Sequence, residues 1–439
     1  MVIMSGKCDR SRYTLLAIVF LLSGLCNGMA QEATSTAGVS GAVPETLEQL
    51  TRILLPNNPD ISAAREKALA AKERIAVEKS WPDPMLGFMV MPDPTPDMEM
   101  LSGARNTVIS QMIPLGGQKR LAGRMARSRL QMERAGLSSE ILAQIEGLKI
   151  TFEEISYLDD AIGIIRENRN TLDQIAVIAI ASESPPALLS EIQRIQTQLA
   201  QIGYDEALLQ ELRTAEQARI NSLLNRSIGR PFVPAGDGLA VEPPPASLSL
   251  LLGAGGVDQP QIKMAQAAAR MASQEVSMAR KERTPDLTFG WSQQRNRDWR
   301  RDDRGDTIIL DFNMPIWNGK NRGRIQEAAH KRAEAGARLQ AERNRLASDI
   351  CAQFVRIQNL WRTIRIYEDT LLPQAAHALE VAQTVSRRQE AQLPEALESQ
   401  AVWLNFKLAH RRALADYRQG LARLDTLTGR ALPAEEAKP

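Results

Sequence analysis

Aromatic side chains make up only 4% of this 439-residue chain, and histidine and cysteine each occur three times. So few rings make a thick globular core hard to fill, and the abundant Ala, Gln, Arg, Glu and Leu favour long helices instead. His330, His377 and His410 stand far apart, with no paired spacing and no neighbouring cysteine, so no structural metal and no cofactor is expected. No nucleophile–base pair is evident, which argues against an enzyme. "GGQK" at 116–119 and "NGK" at 318–320 lack the upstream glycine of a phosphate loop, and Arg120 or Asn321 stands where that loop needs Ser or Thr.

Residues 1–30 combine Lys7, Arg10 and Arg12, an apolar run over 13–25, and small Gly28 and Ala30 before Gln31, the pattern of an export signal. A second reading makes Cys26 a lipidated N-terminus, but Leu25 occupies a position where a small residue is expected. Neither leaves a helical membrane anchor. Removing residues 1–30 leaves equal numbers of acidic and basic residues, which argues against nucleic acid as a partner. It also removes Cys8 and Cys26, so Cys351 can form no intrachain disulfide and reads as a small apolar filler in a helix.

What the chain does have is an internal repeat at an offset near 200 residues. "NPDISAAREKALAAK" (58–72) matches "QPQIKMAQAAARMAS" (259–273), and "WPDPMLGF" (81–88) matches "TPDLTFGW" (284–291). "SPPALLSEIQRIQTQL" (184–199) lies on "LPEALESQAVWLNFKL" (393–408), and "SIGR" (227–230) on "LTGR" (427–430). The expected organisation is a first repeat over 31–229, a Pro/Gly-rich crossover of little regular structure over 230–258, a second repeat over 259–430 and a tail over 431–439. Each repeat reads as a helix (60–80; 261–283), two strands, a very long helix (117–183; 319–391), a Pro-containing corner and a returning helix (187–228; 395–428). Ile141, Ile145, Leu148, Phe152 and Ile155 in the first long helix, and Ile350, Phe354, Ile357, Trp361 and Ile364 in the second, keep a 4,3 rhythm that predicts paired coiled coils. Pro373 is expected to kink or divide the second long helix, and Gly123, Gly136, Gly147 and Gly163 read as places of close helix approach.

The strands carry the functional signal. Leu287, Phe289 and Trp291 alternate with Thr288, Gly290 and Ser292, and Ile308, Leu310 and Phe312 alternate with Thr307, Ile309 and Asp311. One apolar and one mostly polar face is what a membrane β-barrel requires. "PMLGFMVM" and "NTVISQMI" are the first-repeat equivalents, with poorer alternation, and 92–105 and 296–306 read as polar loops. Four strands cannot close a barrel, and open edges in hydrocarbon are costly, so the chain must share a barrel with copies of itself. Two copies give a filled eight-stranded barrel, and three give twelve strands with a passage. Pro114 and Pro315 then end strands leaving the membrane, with Trp81 and Trp317 as an interface belt. Met85, Met89, Met91, Met98, Met100 and Met112 crowd one hairpin; thioethers suit soft ions, but most of the six are expected to be lipid-facing apolar filler.

With the junctions "QMIPLGGQK" (111–119) and "FNMPIWNGK" (312–320), "LLPQAAHALEVAQ" (371–383) and "ESQAVWLNFKLAHRRALADYRQGLARLDTLTGR" (398–430), the sequence resembles the TolC-type outer-membrane efflux protein family over essentially all of the chain after residue 30. The resemblance implies a mainly α fold with a membrane β-barrel. In it a homotrimer shares twelve strands in the outer membrane lipid and extends an α-helical tunnel through the periplasm. It further implies a passive exit duct, joined by a periplasmic adaptor to an inner-membrane transporter. "WPDPMLGF" with "SQMIPLGGQKRLAGRMA" looks most like the heavy-metal-efflux branch, with drug or protein export as alternatives. The family's periplasmic tip falls on 181–191 and 387–400, making Ser182, Pro185, Pro186, Ala391, Leu393 and Pro394 candidates for adaptor docking. The pattern departs here, since Ser182 and Ala391 replace the tip glycine and the constricting acidic positions fall on Leu397 and Gln400, or Leu188 and Glu191. Glu191, Glu395 and Glu398 are gate candidates, as a substitute acidic ring or as solvated charges on a coiled coil. The competing class is a periplasmic coiled-coil scaffold, which would leave the four apolar-faced strands unexplained.

Overall fold

The computed structural model describes residues 44–92, 103–181, 187–236, 243–245, 247–298, 301–386 and 393–429. The expected export signal over 1–30, with Cys26, and the tail over 431–439 lie outside the described residues. The chain begins with two helices in tandem, α1 (Leu47–Asn57) and α2 (Pro59–Lys79). Thr46 and Gln49 form a reciprocal capping box at the start of α1. Asn58 ends α1 and caps α2, its Oδ1 accepting from the backbone N–H of Asp60 and Ile61, while Pro59 occupies the first helical position, where no amide is needed.

Strands β1 (Met85–Pro92) and β2 (Gly103–Ile113) follow, then α3 (Gln118–Ala181) and α4 (Ala187–Leu223). At 64 residues without a proline, α3 is about 95 Å long. The second repeat runs through α5 (Leu248–Asp258), α6 (Pro260–Lys281), β3 (Asp286–Asp298), β4 (Arg301–Asn313), α7 (Asn318–Ile366), α8 (Leu372–Ser386) and α9 (Leu393–Thr428). Helix α5 corrects the expectation of little regular structure over 230–258. It is the counterpart of α1, ending at Gln259–Pro260 as α1 ends at Asn58–Pro59, and its Gly-containing sequence LSLLLGAGGVD hides an element held by burial of Leu251.

Between α7 and α8 lies one π-helical turn, Tyr367–Leu371. Pro373 has no N–H for the carbonyl four residues back, and the wider turn, in which the Leu372 amide reaches the Tyr367 carbonyl, lets the helix continue past it. Of the four glycines expected at close helix approaches, Gly123 is crowded, a Cβ there meeting the Lys79 side chain at 2.6 Å; Gly136 and Gly147 would make only ordinary van der Waals contact, and Gly163 has nothing within 4 Å and is not a close approach.

Burial follows the heptad rhythm. Ile141, Ile145, Leu148, Phe152 and Ile155 pack with Leu50, Leu54, Ile61 and Ile220, and Phe232 closes this core edge-on against Phe152 at 6.1 Å between centroids. Ile350, Phe354, Ile357 and Ile364 pack with Leu251, Ile262, Tyr417 and Leu424, with Trp361 tilted on Tyr417 at 5.4 Å. A third core joins the repeats, setting Leu397 of α9 among Ile165, Leu172, Ile195 and Ile202 of α3 and α4. Cys351 is exposed on α7 rather than filling any of these cores, because it falls outside the buried 4,3 stripe.

Candidate functional site

The four strands form one antiparallel sheet in the order β1-β2-β3-β4, so the two hairpins of the repeats lie side by side through β2 and β3. The register fixes the faces. Leu86, Ile109, Trp291 and Ile308 pair in one row across all four strands, with Phe289 and Leu310, then Leu287 and Phe312, in the rows below. Phe289, Ile308, Leu310 and Phe312 are all exposed in the chain. The opposite face carries the rows Met85, Ser110, Gly290, Ile309 and Gly87, Val108, Ser292, Thr307. The alternation read in β3 and β4 therefore extends to β1, with Leu86, Phe88 and Val90 on the apolar face, but to β2 only at Ile109 and Ile113, since Arg105, Thr107 and Gln111 share that face.

Two expectations are corrected. The segment 296–306 is strand rather than loop over most of its length, with pairing continuing to Asp298 opposite Arg301. Backbone pairing is indifferent to the polarity of NRDWRRDDRGD, which therefore did not reveal it. Met85, Met89 and Met112 lie on the face of Ser110 and Thr307, not on the apolar face assigned to them as lipid-facing filler; Met98 and Met100 lie outside the described residues.

The strands end where expected, β2 before Pro114 and β4 before Pro315. Gly117 takes φ +68°, the left-handed turn that admits the chain to α3. Lys281 of α6 donates to the Gly116 carbonyl, and Gln118 Nε2 donates to Asp286 Oδ1 at 3.2 Å, tying the junctions of the two repeats together. Trp81 and Trp317 stand at this level, 61% and 72% exposed.

Further along the helices, α3 and α9 run antiparallel and share a polar ladder that the sequence reading missed. Lys149 pairs with Asp425, Glu153 with Arg418, Glu154 with Arg412, Asp160 with Arg411 and Glu167 with Lys407. Burial works against the charge on Arg412, yet Glu154 and Asp416 outweigh it and hold the guanidinium more firmly protonated than usual. The ladder ends at a buried amide pair, Gln400 Nε2 donating to Asn168 Oδ1 at 2.8 Å. In the sequence, four of its five rungs are acids within 153–167 and bases within 407–418, which nothing pairs until the two helices are docked. Most rungs are partly exposed and worth about 0–1 kcal/mol each, so they set register more than stability.

Leu397 and Gln400, where the family's constricting acids fall, are 2% and 3% exposed and face the first repeat. Glu395 and Glu398 lie on the other side of the first turns of α9, both exposed. Pro394 is half-buried there, and Leu393 begins the helix. Glu191 lies in α4, its side chain outside the described set, and Ser182, Pro185, Pro186 and Ala391 lie outside the described residues. No group of three or more His, Cys, Asp or Glu side chains among the described residues is placed to hold a metal, and none of the described helices is long and apolar enough to cross a membrane.

The family model "Outer membrane efflux protein" matches residues 257–430, the second repeat. No curated protein matches the chain significantly. Among solved structures, the open-state MtrE outer membrane channel of Neisseria gonorrhoeae superposes with a TM-score of 0.75 at 16% identity, covering 87% of this chain and 88% of that one. The CmeC outer membrane channel of Campylobacter jejuni gives 0.75 at 15% identity, covering 89% of both chains. The outer membrane protein VceC of Vibrio cholerae gives 0.73 at 16% identity, covering 87% and 96%. At these identities the likeness is one of fold, and it extends over both repeats.

Proposed function

We propose that this chain, whose second repeat matches the outer membrane efflux protein family and whose fold is that of solved outer membrane channels, is the passive exit duct of a tripartite efflux system. In this reading three copies share a twelve-stranded barrel in the outer membrane, and their helices form a tunnel in the periplasm. An adaptor joins that tunnel to an inner-membrane transporter, which supplies the energy. The observation that carries the reading is the sheet, with an exposed apolar face and with β1 and β4 as its two edges. In hydrocarbon each unpaired edge group costs several kcal/mol, so the edges must close on other copies. Eight strands would leave an interior filled by side chains, whereas twelve leave a passage.

The repeat boundaries at 31–229 and 259–430 belong to the same proposal, with α5 drawn into the second repeat. So do adaptor docking at the corners around Ser182, Pro185, Pro186, Ala391, Leu393 and Pro394, and an acidic ring of Glu191, Glu395 and Glu398 at the tunnel's end. The exposure of Glu395 and Glu398 beside the buried Leu397 supports the ring. As cargo we assign heavy-metal cations, on the resemblance carried by 81–88 and 110–126. Deleting the gene tests this: sensitivity to heavy-metal salts is expected, and unchanged metal tolerance with new sensitivity to dyes and detergents would reassign the cargo to drugs.

A further inference from the structure

The level at which strands give way to helices carries a charge pattern that a duct for cargo does not itself require. No acidic residue lies between Pro114 and Met132 or between Met314 and Gln326, and these stretches hold eight Lys and Arg residues. Arg129 is answered by Glu133 at 2.7 Å and Arg324 by Glu282 at 2.8 Å. Arg120, Arg124, Arg127, Lys320 and Arg322 are exposed and have no acidic partner among the described residues. The three arginines of α3 fall at i, i+4 and i+7, one stripe facing away from the buried Leu121 and Ala126.

Helix polarity does not explain these positions. The first turns of α3 and α7 contain no acidic residue although a helix start favours negative charge, so the cations there stand against the dipole. At the same level α6 ends with Arg280 and Lys281, which stand with it. In contrast α2, which starts at the far end from the sheet, opens with Asp60 in the favoured sense. The cations follow the level of the sheet's foot, not the direction of the helix. They sit beside the exposed Trp81 and Trp317, directly below the apolar rows Leu287, Phe312 and Phe289, Leu310.

We propose that this collar binds anionic phospholipid headgroups of the periplasmic leaflet of the outer membrane. The proposal rests on the exit-duct reading and goes beyond it in naming the lipid class. Phosphates at this depth meet both the cations and the aromatic belt, and juxtamembrane Lys and Arg attract anionic lipid in this way.

The full chain, reconstituted into vesicles of equimolar phosphatidylglycerol and phosphatidylcholine, supplies the test through the lipids retained by the inserted protein. Phosphatidylglycerol should be retained about fivefold or more over phosphatidylcholine, and the preference should fall as salt rises. The combined variant Arg120→Gln, Arg124→Gln, Arg127→Gln and Arg322→Gln should lose it while inserting equally. The corresponding Arg→Lys set should keep it, which separates lost charge from misfolding. Equal retention of both lipids by inserted wild-type protein overturns the collar and leaves the duct intact. Glutamine variants that change the anion–cation selectivity of single-channel currents without changing lipid retention overturn it too, by placing the cations in the lumen. Wild-type protein that enters no bilayer overturns the collar together with the duct.

Discussion

The two repeats carry the same elements in the same order and solve the same local problems differently. In the first, α3 continues unbroken for 64 residues; in the second, Pro373 is absorbed by the π turn at Tyr367–Leu371. In the first, Asn58 caps α2 and also donates to the Leu223 carbonyl at 2.9 Å. At the equivalent place Gln259, one methylene longer, makes no side-chain cap, donates to the Thr426 carbonyl at 3.2 Å and leaves its Oε1 buried without a partner. The apolar rhythm survived duplication, while the hydrogen bonds drifted. Burial tolerates exchange among side chains of similar bulk, whereas a cap depends on the reach of one particular side chain.

The largest expected effect sharpens this contrast in the cores. Phe152→Ala should cost about 3–5 kcal/mol, since the ring is 1% exposed and holds Phe232. Trp361→Ala, at the matching heptad position but only half-buried, should cost less. Denaturant unfolding of detergent-extracted protein measures both, and equal losses would break the comparison.

Next comes a comparison of the two faces of β4. Leu310→Arg on the apolar face should cost about 2–4 kcal/mol if it sits near the bilayer midplane, removing most heat-modifiable oligomer from the outer-membrane fraction. Thr307→Arg, on the opposite face of the same strand, should leave that oligomer in place. Equal loss from both would mean that the sheet does not separate lipid from water.

The caps give a smaller, reciprocal prediction. Asn58→Ala should destabilise by about 1–2 kcal/mol, and Gln259→Asn should stabilise by up to about 1 kcal/mol by restoring the shorter cap. Thermal unfolding reads both, and stability lost in both variants would show that Gln259 is already the better solution for its repeat.

The smallest effect is a titration. Burial pushes the Glu146 carboxyl above the ordinary carboxylate range, against the opposing pull of its hydrogen bond with Thr426 and the charge of Arg423. A raised folded-state value means that the group supports folding below its unfolded value and loses that contribution as pH rises through the folded one. Glu146→Gln should therefore stabilise the protein at neutral pH, with the gain vanishing in acid. A gain of equal size across the pH range would assign it to packing instead.

The sequence showed most plainly what periodicity controls. The 4,3 stripe located both long helices and their cores, and the alternation Leu287, Phe289, Trp291 located the sheet's faces. It failed where an apolar side chain faces the polar side. Strand β1 alternates Leu86, Phe88, Val90 with Met85, Gly87, Met89, and counting methionine as apolar erased the pattern. Helix α5 was hidden by its glycines, and the strand pairing through 296–306 by its charges. The α3–α9 ladder needed the antiparallel docking of two helices more than 200 residues apart in sequence, which no local pattern encodes.

In the proposed duct the edge strands β1 and β4 close on other copies of this chain. Native mass spectrometry of the particle extracted from outer membranes into detergent tests it most directly. A single species containing three chains is the predicted result. A one-chain particle that stays soluble once detergent is removed would contradict it.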